Sequence, residues 1–203
     1  MNMSKETPKV KICGIRREKD AEYANLCLPD YVGFVFAESP RRVTAETAAR
    51  LRERLDPRIL IVGVFADENS QVIARICEAG IVSLVQLHGN ESEAYIADLR
   101  QRVSVPLIKA MSPEAGTVRD TAADFILLDG ARAGSGRGFD RRLIGKPARP
   151  FFLAGGLTPS NVAEAAREAR PYAVDVSSGV ERGGFKDLER MRAFVEAARE
   201  VNG

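Results

Sequence analysis

Two stretches near the end of the chain, Phe151–Leu157 (FFLAGGL) and Tyr172–Glu181 (YAVDVSSGVE), are apolar runs that break into small residues ahead of helix-starting patterns. Gly155, Gly156, Ser178 and Gly179 leave backbone N–H groups unobstructed there, and neither turn carries a basic side chain. Such turns suit a phosphate, because a helix N-terminus presents unpaired donors and a partial positive charge. A second kind of chemistry is written at two other apolar runs. Lys11-Ile12-Cys13-Gly14 ends one in a thiol, and Leu127-Leu128-Asp129-Gly130 ends another in a carboxyl. Held across a common mouth, the two could serve as base and acid in a proton transfer. From position alone Cys13 also reads as core filling, and Asp129 as a turn residue or N-cap before Gly130. A third run, Glu38-Ser39-Pro40-Arg41-Arg42, supplies loop cations.

Other residues invite chemistry with less support. His88 is the only histidine; a lone imidazole lacks the companions of a metal site, and it reads as structural or rim-lining. Cys27 and Cys77 fall in helical stripes and read as packing. Lys11 and Lys109 sit in strand-like runs whose inward face must be filled, where a lysine needs a carboxylate partner. Asp175 could be that partner and could also touch a substrate.

The elements that must carry these residues alternate along the chain. Strand patterns occupy Val10–Gly14, Tyr31–Phe36, Leu60–Phe65, Ser83–Leu87, Leu107–Ala110, Phe125–Asp129, Phe151–Ala154 and Ala173–Val176, rich in Val, Ile and Phe as doubly covered strands are. Helical windows lie between them. Gln71–Ala79 places Val72, Ile73, Ile76 and Cys77 on one stripe and is stopped by Gly80. Asn90 with Glu93 resembles a capping box, and Thr158-Pro159 reads as an N-cap with proline at the first helical position. Leu188, Met191, Val195 and Ala198 give the last helix an apolar face. Eight βα units in series predict one (β/α)8 barrel over residues 1–203, with 1–8 a loose extension and a doubly wound open sheet as the competitor. In such a barrel chemistry belongs at the C-terminal strand ends, and the loops after strands seven and eight form the usual phosphate site. Unit six is weakest; its helix is expected to be short, around Asp140–Ile144. Gly134-Ser135-Gly136 lacks the context of a nucleotide-binding loop and reads as a flexible lid.

Composition excludes several function classes. Thirty Lys and Arg against 28 Asp and Glu, interspersed along the chain, argue against a nucleic-acid partner. No apolar run reaches membrane-spanning length, and the first ten residues lack the apolar core of a signal peptide. Three cysteines without paired spacing suit a reducing compartment, so a cytoplasmic protein is expected.

The ordered set of strand-end motifs resembles the phosphoribosylanthranilate isomerase family of tryptophan biosynthesis. The segments are KICGI (Lys11–Ile15), GFVFAESPR (Gly33–Arg41), VGVF (Val62–Phe65), VQLHG (Val85–Gly89), LLDG (Leu127–Gly130), GSGRGFD (Gly134–Asp140), LAGGL (Leu153–Leu157) and DVSSGVE (Asp175–Glu181). The resemblance implies a (β/α)8 barrel that performs an Amadori rearrangement of N-(5-phosphoribosyl)anthranilate without metal or organic cofactor, as a monomer or homodimer. It implies Asp129 as the acid that opens the ribose ring, Cys13 as the base that removes the C2 proton, and Arg41 as the partner of the anthranilate carboxylate. Such an acid is expected to stay protonated by burial, and such a base to be favoured by nearby positive charge. Two loops depart from the family pattern. Arg141 follows Asp140 where tryptophan is common, and Arg182-Gly183-Gly184-Phe185-Lys186-Asp187 is one residue shorter and lacks a proline. The rivals are another phosphosugar barrel, such as an epimerase or indole-glycerol-phosphate synthase, and a non-catalytic barrel that binds phosphometabolites.

Overall fold

A computed structural model describes residues 7–111, 121–130 and 149–202. The expected extension over 1–8 lies almost wholly outside these residues. So do the Gly134–Gly136 lid, the helix around Asp140–Ile144 and Arg141.

Eight parallel strands close into a barrel in sequence order: β1 (Lys9–Cys13), β2 (Tyr31–Val35), β3 (Leu60–Phe65), β4 (Leu84–Leu87), β5 (Leu107–Met111), β6 (Phe125–Asp129), β7 (Phe151–Ala154) and β8 (Ala173–Val176). β1 pairs with β8 over Lys9–Ile12, so no edge remains open and the open-sheet alternative is excluded. Outside the barrel lie α1 (Glu18–Cys27), α2 (Ala45–Arg54), α3 (Ser70–Glu78), α4 (Glu93–Arg102), α5 (Val162–Ala169) and α6 (Leu188–Arg199). No described helix is long and apolar enough to cross a membrane.

Alternation within the strands divides the apolar residues into two cores. Val10, Ile12, Val32, Phe34, Ile61 and Val174 face outward and pack with helix residues such as Leu51, Ile73, Leu99 and Phe194. Tyr31, Val35, Val62, Val64, Ile108, Leu127 and Phe152 fill the barrel. Phe152 anchors the inner layer. Its ring meets Phe125 edge-on at 5.7 Å and Tyr31 at 5.6 Å, and the Tyr31 hydroxyl lies 2.9 Å from that of Tyr172. Such tilted pairs match the positive ring edge to the negative face.

Several local readings need correction. Ser92, not Asn90, caps α4, its side chain accepting from the Tyr95 N–H. Asn90 instead donates its N–H to Asp67. α5 starts at Val162 with Asn161 as N-cap, so Thr158-Pro159 forms a turn ahead of the helix rather than its first residues. Asn161 ties that turn together, accepting from the Thr158 N–H and donating to the Gly156 carbonyl. After Ser178–Val180, one turn of 3-10 helix, the chain makes a two-stranded hairpin before α6 begins. Strands β9 (Glu181–Arg182) and β10 (Phe185–Lys186) are joined by Gly183 and Gly184, both at positive φ. A two-residue turn of that kind needs positive φ at both central positions, which glycine adopts without steric cost. The shortened loop is thus a tight hairpin, and Asp187 behind it caps α6.

Because Phe152 lies wholly buried among aromatic rings at the inner layer, Phe152→Ala should cost about 3–5 kcal/mol. The denaturant midpoint reads this, and the folded fraction should keep the wild-type KM. Leu26→Ala, on a residue 64% exposed, should shift stability by less than about 0.5 kcal/mol.

Candidate active site

A cavity of about 420 Å³ opens at the C-terminal ends of the strands. The acid, base and arginine candidates line it, Cys13 from β1, Arg41 after β2 and Asp129 from β6, with Asp175 from β8, whereas Lys11, Lys109, Cys27 and Cys77 do not. Gly155, Gly156, Ser178 and Gly179 line its other side.

The floor beneath Cys13 is ionic. Lys11 is wholly buried inside the barrel, its Nζ 2.8 Å from Asp175 Oδ2 on the neighbouring strand. Burial opposes the lysine's charge, but Asp175 and the Cys13 sulfur outweigh it and hold the ammonium's pKa above its ordinary value. Burial likewise pushes the Cys13 thiol up. The Lys11 ammonium, and Lys186 more weakly, oppose that shift, while Asp175 adds to it. Positive charge is therefore placed at the thiol, yet desolvation outweighs it. Room for the sulfur comes from β2. Gly33 stands opposite Cys13 in register, and a Cβ there would lie 2.6 Å from Sγ. The sequence marked KICG but did not reveal that GFVF supplies the space.

Lys109 does not share this floor. Ile108 and Ala110 face the barrel interior, so Lys109 alternates outward, where its Nζ donates to Glu91 at 2.6 Å and to the Gly89 carbonyl at 2.7 Å. Glu91 also accepts from the N–H groups of Asp67 and Gly89. The cluster pins the loops after β3 and β4, including the residues beside His88.

His88 lies at the rim as expected, but its surroundings were not legible in the sequence. The Gln86 amide donates to His88 Nδ1 at 2.7 Å, which leaves the proton on Nε2. Nε2 faces Asp129 Oδ2 at 3.7 Å. The Asp129 side chain is 37% exposed.

Arg41 is held by a carboxylate already. Its Nε and Nη2 each donate to Glu181 at 2.7 Å, a side-on bidentate pair. Glu181 also accepts from the buried Lys186 at 2.8 Å. Arg41 and Lys186 hold the Glu181 carboxyl below its ordinary range against the upward pull of burial. The Arg42 side chain, by contrast, makes an exposed pair with Glu38. Sequence reasoning missed Glu181 and Lys186; the signal was the pairing of opposite charges across a Gly-Gly hairpin.

The two glycine turns are packed together. A Cβ on Gly179 would collide with the Leu157 carbonyl oxygen, so only glycine lets the turn after β8 close against the turn after β7. Gly155 and Gly156 have φ of 95° and 63°, conformations that cost other residues strain. Among the described residues no group of His, Cys, Asp and Glu is arranged to hold a metal ion.

Comparison with known proteins places this geometry. Residues 10–197 match the family model described as N-(5′-phosphoribosyl)anthranilate (PRA) isomerase. An N-(5′-phosphoribosyl)anthranilate isomerase of Endomicrobium trichonymphae is 44% identical over 96% of this chain and 100% of its own. TrpF from Jonesia denitrificans superposes with a TM-score of 0.86 at 36% identity, covering 96% of this chain and 98% of that one. A phosphoribosylanthranilate isomerase solved with reduced 1-(o-carboxyphenylamino)-1-deoxyribulose 5-phosphate superposes at 0.81 and 35% identity, over 94% and 98% of the two chains. The likeness runs from the first strand to the last helix, and the chain belongs to the N-(5′-phosphoribosyl)anthranilate isomerase family.

Proposed function

We propose that Asp129 and Cys13 are the acid and base with which this aldose–ketose isomerase of tryptophan biosynthesis rearranges its substrate. Asp129 donates a proton to the ribose ring oxygen as the C1–O bond breaks, leaving a Schiff base between C1 and the anthranilate nitrogen. Cys13 removes the C2 proton, and the electron pair moves into an enolamine. Transfer of the C2 hydroxyl proton to C1 completes the ketose. The observation that supports this reading is the placement of a thiol and a carboxyl at the ends of β1 and β6, on one cavity with two glycine turns. His88 Nε2–H is placed to stabilise the Asp129 carboxylate that forms when the proton leaves. A non-catalytic binding barrel would need neither group.

The rest of the substrate follows from the same geometry. Its phosphate lies on the backbone N–H groups at Gly155–Gly156 and Ser178–Gly179, where no basic side chain intrudes on the two turns. The N–H groups belong to the turns themselves, since α5 starts six residues beyond Gly156. Asp175 accepts a ribose hydroxyl: its Oδ2 holds Lys11, while Oδ1 is buried and without a partner among the described residues. Arg41 takes the anthranilate carboxylate. Without a membrane-spanning helix among its described residues, and with its described cysteines free, the enzyme acts in the cytoplasm.

Cys13→Ser and Asp129→Asn should each fold normally and lower kcat by about 10²–10⁴-fold, the usual worth of a positioned acid or base. Anthranilate fluorescence follows the turnover; near-normal rates in either variant would refute the assignment.

Arg41→Ala should weaken the reduced product analogue by at least about tenfold and inorganic phosphate by less than about twofold. Gly156→Ala should do the reverse, because its added methyl meets no atom of the described residues within 4 Å and is free to block the anion. Titration calorimetry with each ligand checks both. Equal weakening of the two ligands by either variant would contradict the placement.

A further inference from the structure

The Arg41–Glu181 pair presents a puzzle. A guanidinium meant for a substrate carboxylate is already engaged, bidentately, by a carboxylate of the chain itself. Two explanations are open: Glu181 occupies the substrate's place and must leave, or it holds Arg41 so that a different edge meets the substrate. The hydrogen-bond inventory decides between them. Glu181 uses Nε–H and one proton of Nη2. A guanidinium has five donors, and the end-on edge formed by Nη1 and the second Nη2 proton has no partner among the described residues. Glu181 itself is fixed from behind. Lys186 faces it in register across the hairpin, with Nζ 2.8 Å from Oε1 and 3.0 Å from the Ser177 carbonyl. The Ser177 hydroxyl donates in turn to the Cys13 carbonyl at 3.2 Å. The Glu181 and Lys186 side chains are 7% and 1% exposed, so pulling Glu181 away would strand a buried ammonium. Gly14 completes the seat: a Cβ there would lie 2.5 Å from Arg41 Cδ.

We infer that Glu181 and Lys186 are positioning residues that lock Arg41 side-on, so that the anthranilate carboxylate is received end-on by Nη1 and Nη2. The inference rests on the reading that Arg41 takes that carboxylate, and adds how it is presented. It also gives a purpose to the shortened Arg182–Phe185 loop, since the tight Gly183-Gly184 turn sets Lys186 opposite Glu181. The triad of two cations and one anion keeps one net positive charge for the ligand. An arginine held in advance loses little side-chain freedom on binding, which favours affinity over rate.

Glu181→Gln tests the lock, because the amide retains the shape but can no longer accept strongly from two cations. KM should rise about tenfold while kcat stays within about threefold, the pattern of lost ground-state binding. Inorganic phosphate should bind as before. A general structural role would lower kcat and weaken both ligands together, and that outcome, or an unchanged KM, would overturn the inference. A crystal of the wild-type enzyme with the reduced product analogue needs no variant to fold. The expected result is Arg41 still on Glu181 through Nε and Nη2, with the anthranilate carboxylate on Nη1 and Nη2. Arg41 released from Glu181 would overturn the lock alone, whereas a carboxylate far from Arg41 would overturn the reading beneath it as well.

Discussion

The active end of this barrel depends on one buried charge. Lys11 sits in the interior with no exposed surface, on the same strand face as Cys13 and one step beneath it. An ammonium there is costly unless an anion meets it, and the β1–β8 seam brings Asp175 to 2.8 Å. The same charge is the largest influence drawing the thiol toward its ionised form against burial. Barrel closure, solvation of the lysine and preparation of the proposed base are thus one problem with one solution. Removing either partner would leave the other buried and unpaired, so the site is tied to the seam that closes the fold.

Around that floor the remaining groups are held by neighbours that perform no chemistry. Gly33 clears space for the sulfur, Gln86 sets the His88 tautomer, and Glu181 with Lys186 fixes Arg41. Lys109 and Glu91 pin the loops that carry His88. A raised thiol pKa is compatible with the chemistry. It makes the thiolate a stronger base when formed, at the expense of its population near neutrality, and Lys11 limits that loss.

Much of this was legible in the sequence because period and punctuation carry it. Eight apolar runs gave eight strands with ends displaced by at most one residue, since doubly covered strands leave few polar positions. The proposed acid, base, arginine and phosphate turns all fall on one cavity because a barrel gathers strand ends at one mouth. What was not legible depends on side-chain geometry across distant segments. The Arg41–Glu181 pair spans 140 positions, and no local pattern announces it. Alternation alone left Lys11 and Lys109 equivalent; the facing of Ile108 and Ala110 separates them. Helix caps misread at Asn90 and Thr158 share a cause: several polar residues precede each helix, and the Asn90 bond to Asp67 and the local Asn161 bond to Gly156 are not marked by residue type.

The central claim is that Lys11 governs the ionisation of Cys13 in a site that otherwise disfavours the thiolate. Iodoacetamide alkylation across pH, followed by mass spectrometry of the Cys13 peptide, measures that ionisation directly and separates it from Cys27 and Cys77. In the wild-type enzyme the rate should rise with an inflection above that of an unhindered cysteine, because burial raises the pKa. In the folded Lys11→Met, Asp175→Asn double variant, which removes both members of the pair, the inflection should move higher still, because the lost ammonium lowers the thiol pKa more than the lost carboxylate raises it. A wild-type inflection below the ordinary cysteine value, or one that the double variant leaves in place or moves down, would contradict the account.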